Sequence, residues 1–233
     1  MTAEELLERY EKGERDFSGV DLSGINIARG YASELLEQYQ VGESAWVGGA
    51  NLVGVDLSGA NLESADFEGA DLMGANLTKA SLAVAGFSVV RFDEADLSRA
   101  NLRAAKLVAA RFYRTNLSNA ILEDAVLSDA RFVGAILRKA KLRDAGLETA
   151  RLIEVDLSGA DLRGVWIGPA VWERCNLTKV NWSKGNTLGC HFVDCNMTNI
   201  NFRDARLSDT HFFGCDFTGA KWKRTETLNV TFD

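Results

Sequence analysis

Apolar residues recur along this chain with a period of five, a spacing that fits neither an amphipathic helix nor an alternating strand. From Ala45 to Asp233 the register never slips, giving 38 pentads, the last of them one residue short. The third residue of each pentad, its centre, is Leu, Phe, Ile, Val, Met or Trp in 36 of the 38, with Thr187 and Thr227 the exceptions. The first residue is Ala, Val, Cys, Gly or Thr in 37, with Ile200 the exception. Residues 15 to 29 add three pentads in the same phase. Local alternation places the first and third residues inside and the second outside. The fourth and fifth, often Ser or Thr and then Gly, turn a corner. Short sides joined by corners wind into a solenoid whose small first and large third residues interlock.

The run A(D/N)LxG, as at Ala50-Asn51-Leu52, Ala70-Asp71-Leu72 and Ala160-Asp161-Leu162, resembles the pentapeptide-repeat family, and the likeness extends from residue 15 to residue 233. The resemblance implies an all-β solenoid: a right-handed quadrilateral β-helix with four pentads per turn and with first and centre residues inward. The opening ELLERY…GERDF is similar to that of cyanobacterial members. Most members have no assigned biochemical activity, so the fold leaves the function open.

Four pentads per coil stack residues 20 apart, and at ~4.8 Å per coil the rod is about 45 Å long. On the face that contains Leu52, the centres include Phe92, Phe112, Phe132, Trp172, Phe192, Phe212 and Phe232. This aromatic ladder is expected to be core. Cys175, Cys190, Cys195 and Cys215 all fall on inward first positions, with Cys175, Cys195 and Cys215 in one column. They are expected to be free thiols serving as small hydrophobes. A buried solenoid interior offers no tetrahedral arrangement for zinc.

Outward positions are where function would show. Second positions on the Leu52 face carry Arg91, Arg111, Arg131 and Arg151 in a stack, and the two His of the chain, His191 and His211, continue its line. Fourth positions beside them run Val53, Met73, Asp93, Tyr113, Val133, Ile153, Glu173, Val193 and Phe213. The equivalent column on the neighbouring Leu57 face is hydroxylated at every coil except Arg138. An apolar stripe beside an arginine ladder is expected to contact a protein partner. His191 and His211 with Asp194 are the one candidate metal set, but a flat face supplies no pocket for a functional ion. No nucleophile, phosphate-binding or HExxH arrangement appears. No enzyme activity and no cofactor are expected.

The first 44 residues break the pattern. Thr2 and Glu5 form a capping box before Leu6, Leu7 and Tyr10, and Gly13 ends the predicted helix. The run Glu5 to Tyr10 recurs as Glu34 to Tyr39 at an offset of 29. The organisation read here is a helix over 1–14, first pentads over 15–29, a helical insertion over 30–44 and a continuous solenoid over 45–233. Capping of the first coil is the expected role of the helices, with a partner-binding arm as the alternative. The pentads at 15 to 29 are expected to stack under residues 50 to 69. The aromatic C-terminal coils suggest a C-terminal homodimer.

Charge sharpens this picture. The net charge is −7, but residues 1 to 44 carry ten acids against four bases, which leaves −1 for the solenoid. From residue 45 onward the Leu52, Leu57, Leu62 and Phe67 faces sum to −1, +1, +3 and −4. A DNA-mimicking, gyrase-binding protein of the quinolone-resistance type, the alternative that the resemblance raises, would need a duplex-like negative belt. A net acidic chain is likewise a poor binder of nucleic acid. No apolar run approaches the ~20 residues of a membrane span, the N-terminus does not read as a signal peptide, and four Cys without an export signal suit the cytoplasm.

Overall fold

The computed structural model describes residues 1–23, 25 and 48–233. The helical insertion expected at 30–44 lies outside the described residues.

The corner is the unit from which the molecule is built. At Leu52-Val53-Gly54-Val55 the Val55 N–H donates to the Leu52 carbonyl at 3.2 Å, closing a turn with Gly54 at φ 64°. This is type II geometry, which needs a left-handed residue at its second central position. Asn51 reinforces it from the second position of the pentad, where its Oδ1 accepts the Val53 N–H at 3.1 Å. Asp56, Asp71 and Asp161 serve Ser58, Met73 and Arg163 in the same way, at 2.8, 3.1 and 3.2 Å. The repeated Asn or Asp is therefore a turn residue, its side chain standing in for a backbone acceptor.

Coils join by parallel hydrogen bonds in register. Leu52 N–H donates to Asp71 O at 2.8 Å, and Asp71 N–H donates to Ala50 O at 2.9 Å. On one face the bridges run Asn51, Asp71, Arg91 and Arg111. They continue through Arg131, Arg151, Val171, His191, His211 and Thr231, always 20 residues apart.

Extended sides appear where corners open. Strands β1 (Arg111–Tyr113), β2 (Arg131–Val133), β3 (Arg151–Ile153), β5 (Val171–Glu173), β7 (His191–Val193), β9 (His211–Phe213) and β11 (Thr231–Phe232) form one seven-stranded sheet in that order. Strands β4 (Trp166–Ile167), β6 (Asn186–Leu188), β8 (Arg206–Ser208) and β10 (Glu226–Leu228) form a second. Every strand except β6 begins at a second position without Asn or Asp, so the strand's own second residue does not cap the fourth N–H. That N–H joins the ladder instead, as Asp233 N–H does to Phe212 O at 3.0 Å.

The interior is apolar apart from the buried hydroxyls of Thr115, Thr187 and Thr210. First and centre residues from Ala50 to Phe212 are buried almost without exception. The aromatic ladder is core as far as Phe212: Phe92, Phe112 and Phe132 stack at 5.4 and 4.4 Å between centroids, and Phe192, Phe212 and the exposed Phe232 at 5.0 and 5.3 Å.

All four thiols are free, and they do more than fill space. Cys175, Cys190, Cys195 and Cys215 each follow an open corner. Their Sγ atoms donate to carbonyls of the coil below, at 3.6 Å to Leu152, 3.0 Å to Gly168, 3.4 Å to Trp172 and 3.5 Å to Phe192. Thr115 does the same to Phe92 O at 2.7 Å. Burial raises the Cys190 pKa from its ordinary 9.0 to about 11. Hydrogen bonding with the Cys175 thiol, with burial, raises Cys195 to about 12. The stability these raised values contribute is whole below pH ~9 and is lost as pH climbs through the folded values. A Cys190→Ala variant is therefore expected to lose less stability than wild type between pH 9 and 11 in urea titrations. Native Cys190 and Cys195 should resist a thiol reagent that labels all four cysteines in urea.

At the N-terminus, α1 (Ala3–Glu11) starts at the expected capping box, with Glu5 N–H to Thr2 Oγ1 at 3.2 Å and Thr2 N–H to Glu5 Oε2 at 2.9 Å. Ala3 and Leu6 join Phe17, Leu22 and Ile25 in the core. The first pentads pair with the next coil through Asp16 to Asn51 and Asp21 to Asp56. Tyr10 Oη donates to Gly48 O at 2.9 Å.

Candidate interaction face

On the seven-stranded side, the extended backbone sends second and fourth residues outward and the centre inward. Arg91, Arg111, Arg131 and Arg151 therefore form one column, and Tyr113, Val133 and Ile153 run beside it. Their surroundings differ sharply. Arg91 Nη1 donates to Asp71 Oδ2 at 2.6 Å, and its Nε lies 3.6 Å from Asp93 Oδ2. Arg111 Nη2 donates to the same Asp93 oxygen at 3.0 Å. Arg151 Nη2 reaches Glu173 Oε1 at 3.4 Å. Arg131 makes no ion pair among the described residues.

Asp93 is the residue that sequence reasoning passed over. It is only 5% exposed although it sits on the outer surface. Besides Arg111, it accepts the Tyr113 N–H at 3.2 Å. An acid in a mostly apolar fourth column, stacked beside two Arg of the second column, was the signal that could have found it. Asp93→Ala is expected to cost about 1–3 kcal/mol, toward the lower end because both guanidiniums are half-exposed, as measured by urea unfolding.

The stripe holds a shallow depression of about 410 Å³ lined by Asp129, Arg131, Val133, Thr149, Arg151 and Ile153. Asp129 makes no ion pair with Arg131; its Oδ1 accepts the Thr149 hydroxyl at 2.7 Å. Tyr113 is 38% exposed, and Val133 and Ile153 are half-buried. Arg114, at the corner on the other side of the stripe, places its guanidinium 4.9 Å from the Tyr113 ring centre. It too makes no ion pair among the described residues.

His191 and His211 lie farther along the column, stacked at 5.0 Å. His211 Nδ1 is 2.8 Å from the Thr231 hydroxyl, and Phe213 beside it is 55% exposed. Val171 and Glu173 separate this pair from the arginines, so the ten expected face residues form two clusters. Among the described residues, no group of three or more His, Cys, Asp or Glu could hold a metal ion.

The neighbouring hydroxylated column has a structural role. Thr78, Thr178, Thr198 and Thr218 each donate to the Asn or Asp two residues earlier, at 2.9, 2.7, 2.6 and 2.7 Å.

Five-residue sides, inward first and centre residues and a 20-residue parallel register define a four-sided β-solenoid. The chain belongs to the pentapeptide-repeat family: the pentapeptide repeats (8 copies) model matches residues 48–83, 87–119, 110–148 and 130–165, and the pentapeptide repeat region model matches 165–233. Among solved structures it is similar to HetL, a pentapeptide repeat protein involved in heterocyst differentiation regulation from the cyanobacterium Nostoc sp. strain PCC 7120. The two are 26% identical over 97% of this chain and 94% of that one, with a TM-score of 0.88. A pentapeptide repeat protein from the Arabidopsis thaliana thylakoid lumen is 30% identical over 47% of this chain and 66% of its own, with a TM-score of 0.40. Full-length QnrB1, a plasmid-mediated fluoroquinolone resistance protein, is 16% identical over 88% and 92%, with a TM-score of 0.39. No curated protein matches the chain in sequence.

Proposed function

We propose that this chain is a non-enzymatic scaffold that binds a protein partner through the arginine and apolar face. The observation that carries the reading is Arg131, an exposed guanidinium without an ion pair among the described residues, set beside half-buried Val133 and Ile153. An arginine not tied up in an ion pair is free to engage a partner, and arginine and aromatic residues beside apolar area are favoured at protein interfaces. The full-length likeness to HetL, a protein involved in regulation, supports a binding role over a chemical one. A reducing, cytoplasmic setting fits the four free thiols, and no described helix is long and apolar enough to cross a membrane.

Pull-down from native lysate with wild type and an Arg111→Glu/Arg131→Glu variant tests the face. Loss of one or more partners by the variant is expected, and identical partner lists would refute it. The gyrase-mimic alternative lacks support in the charge pattern, since the most acidic face carries only −4 from residue 45 onward. Protection of gyrase supercoiling from a quinolone is the outcome that would favour it. Self-association through the coil ending at Phe232 belongs to the same proposal. Leu228 and Phe232 are 61% and 52% exposed there, and a concentration-independent monomer in analytical ultracentrifugation counts against it.

A further inference from the structure

The geometry points to the occupant of this face: an extended segment of a partner protein that presents one large apolar side chain between carboxylates. The inference rests on the interaction reading above and adds the chemistry of what is bound.

The Tyr113, Val133 and Ile153 stripe is bordered on both sides by guanidiniums. Arg131 lies on the second-position side, and Arg114 on the corner side, its stem running past Gly134 at 3.6 Å from where a Cβ would stand. These are the two arginines of the patch without an ion pair among the described residues. Each has five N–H donors in a planar fork suited to a carboxylate. Between them lies apolar surface, half-buried and continuous over three coils, which rise ~4.8 Å each. Alternate side chains of an extended segment share one side, so an acid, an apolar residue and an acid at alternate positions meet cation, apolar floor and cation in turn.

The surroundings suit a short segment better than a long polyanion. Asp93, Asp129, Glu154 and Glu173 ring the patch. Asp93 is held by Arg91 and Arg111, Asp129 by Thr149, Glu154 by Arg174, and Glu173 by Arg151. A nucleic-acid backbone crossing the face would bring successive phosphates against these acids and set nothing against Val133 or Ile153. One or two carboxylates with an apolar side chain match the local charge.

Fluorescein-labelled decapeptides on a Gly/Ser background, titrated with the full chain in fluorescence anisotropy, provide the test. The central pentads are Glu-Ser-Leu-Ser-Glu, Glu-Ser-Ser-Ser-Glu and Lys-Ser-Leu-Ser-Lys, with an all-Glu decamer and a ten-nucleotide single strand as polyanion controls. Glu-Ser-Leu-Ser-Glu is expected to bind most tightly. Arg131→Gln should weaken it about tenfold, while Lys221→Gln on another face should leave it unchanged. Both substitutions are at exposed side chains, and circular dichroism of each variant confirms the fold. Loss of the central Leu should weaken binding by a similar factor. No binding of Glu-Ser-Leu-Ser-Glu at 1 mM, or equal binding of the all-Glu decamer or the oligonucleotide, would overturn the inference. The pull-down difference between wild type and Arg111→Glu/Arg131→Glu could survive that result, so the two readings fail separately.

Discussion

Replacing Phe112 with alanine is expected to lower the unfolding free energy by roughly 3–5 kcal/mol. The ring is fully buried and is stacked between Phe92 and Phe132 at 5.4 and 4.4 Å. Cavities in globular cores are partly relieved when elements shift inward, but little can shift here. The coils above and below are fixed at ~4.8 Å by parallel ladders, and the other inward residues of the coil, among them Ala110 and Leu117, are held by the same corners. The cost should therefore fall in the upper part of the range.

A solenoid also contacts itself only between neighbouring coils, so a weakened coil uncouples the two ends. Four of the five Trp lie C-terminal to Phe112, and fluorescence reports mainly that half while circular dichroism reports the whole. Urea transitions followed by the two probes should coincide for wild type and separate for Phe112→Ala. Phe112→Leu should lose less than ~1.5 kcal/mol.

Gly185→Ala is the second large effect, expected at about 2–3 kcal/mol. Alanine is the commonest residue at first positions, so the exchange looks harmless in sequence. At this position, however, a Cβ would stand 2.4 Å from Trp182 Cδ1, 2.6 Å from its Nε1 and 3.2 Å from its carbonyl oxygen. The indole cannot move away, because Trp172, Phe192 and Phe202 surround it at 5.3, 5.8 and 5.8 Å. Shrinking the neighbour should restore stability. Trp182→Phe, which also removes a buried indole N–H without a partner, should recover much of the loss when combined with Gly185→Ala. A thermal-melt double-mutant cycle reads that coupling directly. Additive losses would show that the two side chains do not compete for the same space.

These two sites mark what the sequence discloses and what it hides. A period of five fixes which side chains face inward, so the aromatic ladder, the cysteine column and the outward Arg column were legible without coordinates. The interlocking of small first and large centre residues was legible too, and Gly185 beside Trp182 is its extreme case. Corner state was not. Arg91 and Lys141 keep closed turns, while Arg111 and Arg131 open into strands, although all four are basic second residues without a side-chain acceptor. The candidate face was legible as a set but not in its internal differences. Sequence makes its four arginines equivalent, whereas Asp71, Asp93 and Glu173 engage three of them and leave Arg131. Arg114 escaped notice because a corner position had no assigned direction until its guanidinium was placed near Tyr113.

In the proposed function one face of the rod makes the partner contact and its neighbour serves the fold. Photo-crosslinking in native lysate compares the two directly. A photoreactive residue is placed at Val133 on the arginine face, or at Ser158 on the hydroxylated face, both half-buried in the free chain. Partner adducts are expected from Val133 and few or none from Ser158. Equal yields from the two positions, or adducts from Ser158 alone, would contradict it.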